Sequence, residues 1–409
     1  MNMTGYLITL GFHDFQHLWN NWMICFGSSC TFFDCHFLFT SIKMNALDIH
    51  NENLKILKIS SKFVGVEIWK PTQMFTLQSC IVLVQLFNYF YSNFWTVYQY
   101  RNDVIFVMKV LNCTGIAFQL FIKFFIATFK KKKMFAMCEM IETELFKKYS
   151  SRKEKEGEMV YGYAVKFRLI LKLLVLLYLS SLVMFVLYPV YIYFVQDELV
   201  AMFVFEFPYI DPETTIGFVL TNVLQVILYV TGIWGLVLAD GLFLVYVVHV
   251  LLFMAIFELH MKQLDVILQN QDGTSNDLAV EDRWRQCLQE HQAIAEYIDD
   301  IEDIFSFICL VTVFTSAFAI CDNITDWYAS YMYLMICFTS MTIYFVIGNM
   351  IERKVYESMH MCIVNFPWHL MNARQKKEYL ILLNRMDHPF TLSMYGYSPL
   401  NFESYMTVE

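Results

Sequence analysis

The hydrophobic positions of the chain gather into six long runs that polar segments separate. The runs lie at residues 73–96, 103–128, 170–195, 216–239, 303–321 and 327–349. A helix of about 20 apolar residues crosses the hydrocarbon core of a bilayer, which is roughly 30 Å thick. The last run carries no charged side chain between Trp327 and Asn349, and it then turns polar without a loop signal. The pattern therefore predicts an all-α, polytopic membrane helical bundle with six spans.

The fourth run continues past its own end. Asp240 and Gly241 interrupt it, and residues 242–257 are apolar again. A straight helix over this whole stretch would measure about 60 Å at 1.5 Å per residue, so it either tilts and projects into water or bends at the interruption. Residues 259–302 are polar, with helical periodicity on both sides of a turn. We therefore expect the fourth and fifth spans to extend beyond the membrane and to pack there.

Composition agrees with a membrane protein. The chain is 57% hydrophobic and 16% charged, whereas a soluble domain is about 25% charged. The net charge of −9, without a basic stripe of interleaved aromatics, predicts no nucleic-acid partner. The sequence carries no cofactor motif, and its 11 cysteines form no disulfide framework.

Charges in the connecting segments predict the orientation, because loops rich in lysine and arginine stay in the cytoplasm. Basic segments precede the first run, separate the second run from the third, and follow the sixth. The segment between the third and fourth runs is acidic and carries Pro208 and Pro212. We therefore expect a cytoplasmic N-terminus. Asn323 begins a glycosylation sequon in the last short outer loop and is a candidate modification site.

The first 44 residues are patchy in hydrophobicity and carry no clear signal peptide. Cys25, Cys30 and Cys35 recur every five residues, which does not match the paired spacing of zinc ligands, so no metal site is predicted. This segment is interpreted as an N-terminal extension, or as sequence before a native start at Met44. The predicted organisation is an extension at 1–44, a cytoplasmic helix at 45–72, a six-span bundle at 73–349 with the polar loop 259–302, and a cytoplasmic anchor and tail at 350–409.

The end of the chain resembles the C-terminal signature of insect odorant receptors. The resemblance rests on an ordered set of motifs: Gly348-Asn349, Asn365-Phe-Pro-Trp368, a basic helix from Gln375 to Arg385, Pro389, and Gly396-Tyr-Ser-Pro-Leu-Asn-Phe402. Asp240 and His249 in the fourth run are also similar to that family, although we expect both to serve structural pairing. The resemblance covers roughly residues 45–409.

The resemblance implies a subunit of an odorant-gated, non-selective cation channel that assembles as a heterotetramer with an odorant receptor co-receptor. It further implies inverted topology, a cytoplasmic anchor built from the inner ends of the later helices, and a place in the plasma membrane of a sensory dendrite. One part of the pattern has no counterpart here. The family continues after the last motif with a pore-lining half-helix, whereas this sequence ends at Glu409. We expect that the chain lacks its final segment; a non-conducting short form is the alternative.

The outer ends of the spans, given this orientation, form an aromatic and methionine-rich zone that suits a small volatile ligand. Asn222 and Gln225 are the stronger candidates for orienting it, because polar groups inside spans are usually functional. The predicted ligand-binding residues are Phe106, Tyr188, Tyr191, Phe218, Asn222, Gln225, Tyr229, Phe314, Phe318, Tyr331, Met332 and Met335. Each aromatic residue in this set could equally belong to the interfacial belt that membrane proteins share.

Two alternatives remain open at this stage. A gustatory receptor-like channel subunit would share the topology, although its tail motif is absent. A polytopic membrane enzyme could use His249 or the pair Asp387-His388, but Asp387-His388 lies just before Pro389 without a partner serine or cysteine signature.

Overall fold

The computed structural model describes residues 45–149, 155–197, 199–211, 214–269, 277–322, 327–386, 390–401 and 403–404. Within these ranges, the side chains of residues 196, 277–278, 318–322 and 327–335 are not described. The predicted extension at 1–44, Asn323, and the side chains of Phe318, Tyr331, Met332 and Met335 therefore lie outside the described part.

Helices make up most of the described chain, and we number them in chain order. They are α1 (Ala46–Val64), α2 (Leu77–Gln99), α3 (Val104–Phe129), α4 (Lys131–Ile141), α5 (Lys155–Gln196), α6 (Thr215–Gln269), α7 (Asp277–Asp322), α8 (Trp327–Arg353) and α9 (Ala373–Met386). A π-helical segment, Glu142–Lys147, extends α4, and Lys354–His360 and Met361–Val364 extend α8. Each of the six predicted runs falls on one long helix. By length and composition, α3, α5 and α6 are apolar enough to cross a membrane.

The basic segment after the second run is helical rather than a loop. Two of its lysines pair with α7, since Lys130 Nζ lies 2.7 Å from Asp303 Oδ1 and Lys133 Nζ lies 2.7 Å from Asp300 Oδ1. Lysine and glutamate are good helix formers once their charges are matched. The chain therefore turns directly from α3 into α4, and α5 begins at Lys155, 15 residues before the predicted start of its span.

The 55-residue helix α6 is the centre of the bundle. It is continuous, so Asp240-Gly241 does not mark the end of a helix. A Cβ atom at Gly241 would lie 2.5 Å from Leu57 Cδ2 of α1 and 3.5 Å from Leu171 Cδ1 of α5. Glycine at this position lets three helices meet closely. From Leu236 to Leu252, almost every side chain of α6 is buried.

The tail folds back onto α8 through two of the motifs that the sequence singles out. A short hairpin joins Leu392 to Leu400, whose backbone N–H donates to Leu392 O at 2.8 Å. The turn uses Tyr395 and Gly396 in left-handed conformations, at φ 52° and 78°. A Cβ atom at Gly348 would lie 2.1 Å from Leu400 O. The Gly-Asn motif and the Gly-Tyr-Ser-Pro-Leu motif are therefore two sides of one contact.

Helix α9 completes a packed unit at the same end of the bundle, which we call the tail end. Trp284 of α7 donates its indole N–H to Glu378 of α9 at 2.9 Å and stacks on Phe366. Tyr379 donates its hydroxyl to Ile363 O at 2.9 Å. The extensions of α6, α7 and α8 meet here, as the helical periodicity of residues 259–302 predicts.

Candidate functional site

An apolar cavity lies between α2, α3 and α6. It contains about 1010 Å³ of space between atoms, counting its open mouth. Its wall is aliphatic and aromatic, with a few polar side chains. The lining includes Val82, Gln85, Leu86, Tyr89, Ile116, Ala117, Leu120, Lys123, Phe203, Leu228, Tyr229, Gly232, Gly235 and Ile336. Concave, mostly apolar space with few polar groups is the usual form of a small-molecule site.

Small residues explain why space remains between these helices. Gly232 and Gly235 present no side chain to α3, and a Cβ atom there would lie 3.1 and 3.3 Å from the methyl groups of Leu120. Ala117 and Ala239 line other parts of the same wall. Larger side chains at these four positions would occupy the cavity.

The loop between α5 and α6 closes one end of the cavity. Gln225 is fully buried, and its amide holds the loop by accepting from Phe203 N at 3.0 Å and donating to Phe205 O at 3.1 Å. Asn222 Oδ1 accepts from Met202 N at 3.1 Å. The ring of Phe203 is thereby placed 5.6 Å from that of Tyr229. Both rings line the cavity.

Most polar atoms of the wall already have partners inside the protein. Tyr89 donates to Cys113 O at 2.9 Å, Tyr229 lies 3.1 Å from Ser181 Oγ, and Thr231 donates to Ile227 O at 3.0 Å. Gln85 is different, because its Oε1 is buried without a hydrogen-bond partner among the described residues.

A buried polar cluster borders the cavity where Lys123 lines it. Lys123 Nζ donates to Asp240 Oδ1 at 2.6 Å, and both side chains are 2% exposed or less. Asp240 also accepts from Tyr178 at 2.5 Å, Tyr344 at 2.7 Å and Ser340 at 3.2 Å. These five side chains belong to α3, α5, α6 and α8. Asp240 therefore has the structural pairing expected for it, whereas His249 bonds Val245 O at 2.5 Å and packs among aromatic rings.

The structure distributes the predicted ligand-binding residues over several places. Tyr229 lines the cavity, while Phe218 and Asn222 line a more open groove between α5 and α6, beside Pro189 and Met202. Gln225 is engaged with the loop. The remaining described members lie apart from the cavity: Tyr188 is half-buried, Phe106 packs on Tyr100, and Tyr191 and Phe314 are 54% and 72% exposed.

Sequence reasoning missed several wall residues, because it considered only the outer ends of the spans. The cavity wall on α6 runs from Leu228 to Ala239, nearer the middle of the helix than the predicted set. Two signals could have found part of it. Lys123 is a charge within the second run and Gln85 is an amide within the first, and polar groups in spans tend to be functional.

Comparison with known proteins identifies the family. The family model described as 7tm Odorant receptor matches residues 103–408. The chain belongs to the 7tm odorant receptor family. It is therefore a multi-pass membrane receptor of a family that is not an enzyme family, and the resemblance found in its tail motifs is confirmed.

The fold of this odorant receptor is that of solved insect olfactory receptors. It superposes on the olfactory receptor OR5 from Machilis hrabei in complex with eugenol with a TM-score of 0.70, at 12% identity, over 88% of this chain and 94% of that one. A second structure of the same Machilis hrabei receptor gives a TM-score of 0.67 at 13% identity, over 88% and 93% of the two chains. No curated protein sequence matches the chain. The predicted all-α membrane bundle is confirmed.

Proposed function

We propose that this odorant receptor is the ligand-binding subunit of a cation channel and that a small volatile molecule occupies the cavity between α2, α3 and α6. The observation that carries this proposal is the cavity itself, an apolar space inside a chain of the odorant receptor family. Tyr229 and Phe203 contact the ligand, since both line the cavity. Shape and dispersion set most of the selectivity, because the wall offers few polar atoms.

The energetics suit a sensory receptor. A ligand of about ten heavy atoms in an apolar pocket gains roughly 6–8 kcal/mol, and micromolar binding corresponds to about 8 kcal/mol. Binding of that strength reverses within the time of a sensory response, since weak complexes dissociate quickly.

The channel itself is proposed to be a heteromer with the odorant receptor co-receptor in the plasma membrane of a sensory dendrite. The tail-end unit of α7, α8 and α9 holds the subunits together in this proposal, and the N-terminus lies in the cytoplasm. The basic α4 and the acidic loop between α5 and α6 support this orientation.

Electrical recording tests the function. The chain is expressed with the co-receptor, the co-receptor is expressed alone, and a panel of volatiles that includes eugenol is applied to both. Eugenol enters the panel because the Machilis hrabei structure holds it. We expect at least one volatile to evoke a cation current only when both subunits are present. If the co-receptor alone responds to the same volatiles with the same currents, the proposal is contradicted.

Labelling tests the orientation in the same cells. A tag fused before Met1 should be accessible to antibody only after permeabilisation. Staining of intact cells would place the N-terminus outside and overturn the proposed topology.

A further inference from the structure

The amide of Gln85 stands out in the cavity wall. It belongs to α2, one helical turn before Tyr89 and three residues after Val82, so all three side chains share one face. That face lines the cavity. No hydrogen bond of the Gln85 amide is found within the described part of the chain, and its Oε1 is buried.

A buried acceptor without a partner is unusual. Such a group loses its hydrogen bonds to water and gains nothing in return, so native proteins pair almost all of them. The hydroxyl of Tyr89, the nearest donor on the same helix face, is bonded to Cys113 O. The ammonium of Lys123 donates to Asp240 on another part of the wall. Because Gln85 lines the cavity, a hydroxyl group of a bound ligand can supply the donor that Oε1 lacks.

We propose that Gln85 is a specificity-determining residue that accepts a hydrogen bond from a ligand hydroxyl, so that this receptor prefers small alcohols and phenols over their ethers. The proposal rests on the proposed ligand cavity and deepens it. The apolar wall takes the carbon skeleton, and Gln85 Oε1 fixes the end that carries the O–H group. A site that pairs a ligand hydroxyl discriminates strongly against the analogue that lacks it, because the buried acceptor is then left unpaired.

Matched ligand pairs test the idea. The probes are eugenol and a straight-chain six-carbon alcohol, each compared with its own methyl ether, which keeps the skeleton and removes the O–H donor. Binding to the purified 409-residue chain in lipid nanodiscs is measured by calorimetry. We expect each hydroxyl compound to bind about tenfold or more tightly than its ether, the size of effect that one buried hydrogen bond supports.

Variants of Gln85 assign the preference to its amide. Gln85→Met keeps the length and helix propensity of the side chain and removes the acceptor, so the ratio of the two dissociation constants should fall to about one. Gln85→Glu retains an acceptor oxygen at the same position and should retain the preference for the hydroxyl member. Gln99→Met, at the exposed end of the same helix, is the control and should leave the ratio unchanged.

The possible outcomes distinguish a failure of the role of Gln85 from a failure of the proposed ligand-binding function. If no member of either pair binds, this receptor does not take small alcohols or phenols and the inference is overturned, while the electrical recordings on the full panel decide separately whether a volatile acts on the receptor. If both members bind equally well to the unaltered receptor, the cavity stands and the role of Gln85 is overturned. If Gln85→Met still prefers the hydroxyl compound over its ether, another group binds the ligand hydroxyl and the role of Gln85 is again overturned.

Discussion

At the scale of single residues, the buried charge of Asp240 has the largest energetic consequences. Its carboxylate sits where four helices meet, with one ammonium and three hydroxyl groups around it. Removing one partner of a buried ion pair leaves the other charge uncompensated, which destabilises a protein by about 3–5 kcal/mol. The ion pair joins α3 to α6, and the three hydroxyl groups join α5 and α8 to the same carboxylate at the border of the cavity.

Thermal unfolding of the purified receptor tests this role. Lys123→Met and Asp240→Asn should each lower the melting temperature strongly, because each leaves one buried charge alone. The double variant should be more stable than the sum of the two single effects predicts, since it removes both charges at once. Strictly additive losses would show that the two side chains act independently.

A second residue-level prediction concerns His291 of α7. Burial, with a smaller contribution from the positive charge of Arg385, lowers its pKa from 6.5 to about 4. In the unfolded chain the imidazole takes up a proton near pH 6.5, whereas in the folded chain it stays neutral down to about pH 4. Stability should therefore fall as the pH drops from 6.5 towards 4, by up to about 2 kcal/mol at pH 5 from this residue.

His291→Phe removes the titrating group and keeps a ring beside Phe257 and Phe390. The loss of melting temperature between pH 7 and pH 5 should be smaller in this variant than in the unaltered receptor. His369→Phe, at an exposed position, serves as the control. If the melting temperature of His291→Phe depends on pH as it does in the unaltered receptor, His291 does not cause the loss of stability at low pH.

At the scale of elements, the tail hairpin and α8 depend on the absence of a side chain at Gly348. Its backbone lies so near Leu400 O that even a methyl group cannot be placed there without moving the hairpin. The hairpin brings the buried side chains of Leu392, Met394 and Leu400 to this contact. The packing of the tail end therefore depends on this close approach.

Gly348→Ala should destabilise the docked tail by about 1–3 kcal/mol, the usual effect of overpacking. Hydrogen exchange can follow the amide of Leu400, which is bonded to Leu392 O, and it should exchange faster in the variant. Gly162→Ala is the matched control, since no atom lies within 4 Å of its added Cβ and alanine favours the helix. Equal exchange in Gly348→Ala and the unaltered receptor would argue against the contact.

The long helices were predictable from the sequence, because apolar runs bounded by polar segments are a strong signal for spans. The helical basic segment at 131–147 was not, because its buried face, which includes Met134 and Phe146, packs on Tyr246 and His50 of helices distant in sequence. For the candidate site, Tyr229 was in the predicted set and lines the cavity. Gln85 and Phe203 were not, since a cavity depends on which helix faces meet and on how the loop at 199–211 folds, and neither is a local property of the chain.

At the scale of the whole receptor, the described helices form a tightly packed region at the tail end and a second region that contains the cavity. The tail-end unit is dense, with stacked rings and with hydrogen bonds that join α9 to α7 and to the extension of α8. The region between α2, α3 and α6 keeps an apolar space beside the Lys123–Asp240 pair. A ligand in that space would contact Lys123, which pairs with Asp240 and so joins α3 to α6. Asp240 also accepts hydrogen bonds from Ser340 and Tyr344 of α8.

The most direct test of this account fills the cavity without changing its chemistry. Leu228 faces the cavity, whereas its neighbour Ile227 faces the groove between α5 and α6. Dose–response currents are measured for Leu228→Trp and Ile227→Trp in the presence of the co-receptor, with surface expression measured in parallel. We predict that Leu228→Trp reaches the membrane but loses its response to the activating volatile, and that Ile227→Trp keeps the response. The reverse pattern would place the ligand in the groove and contradict the account.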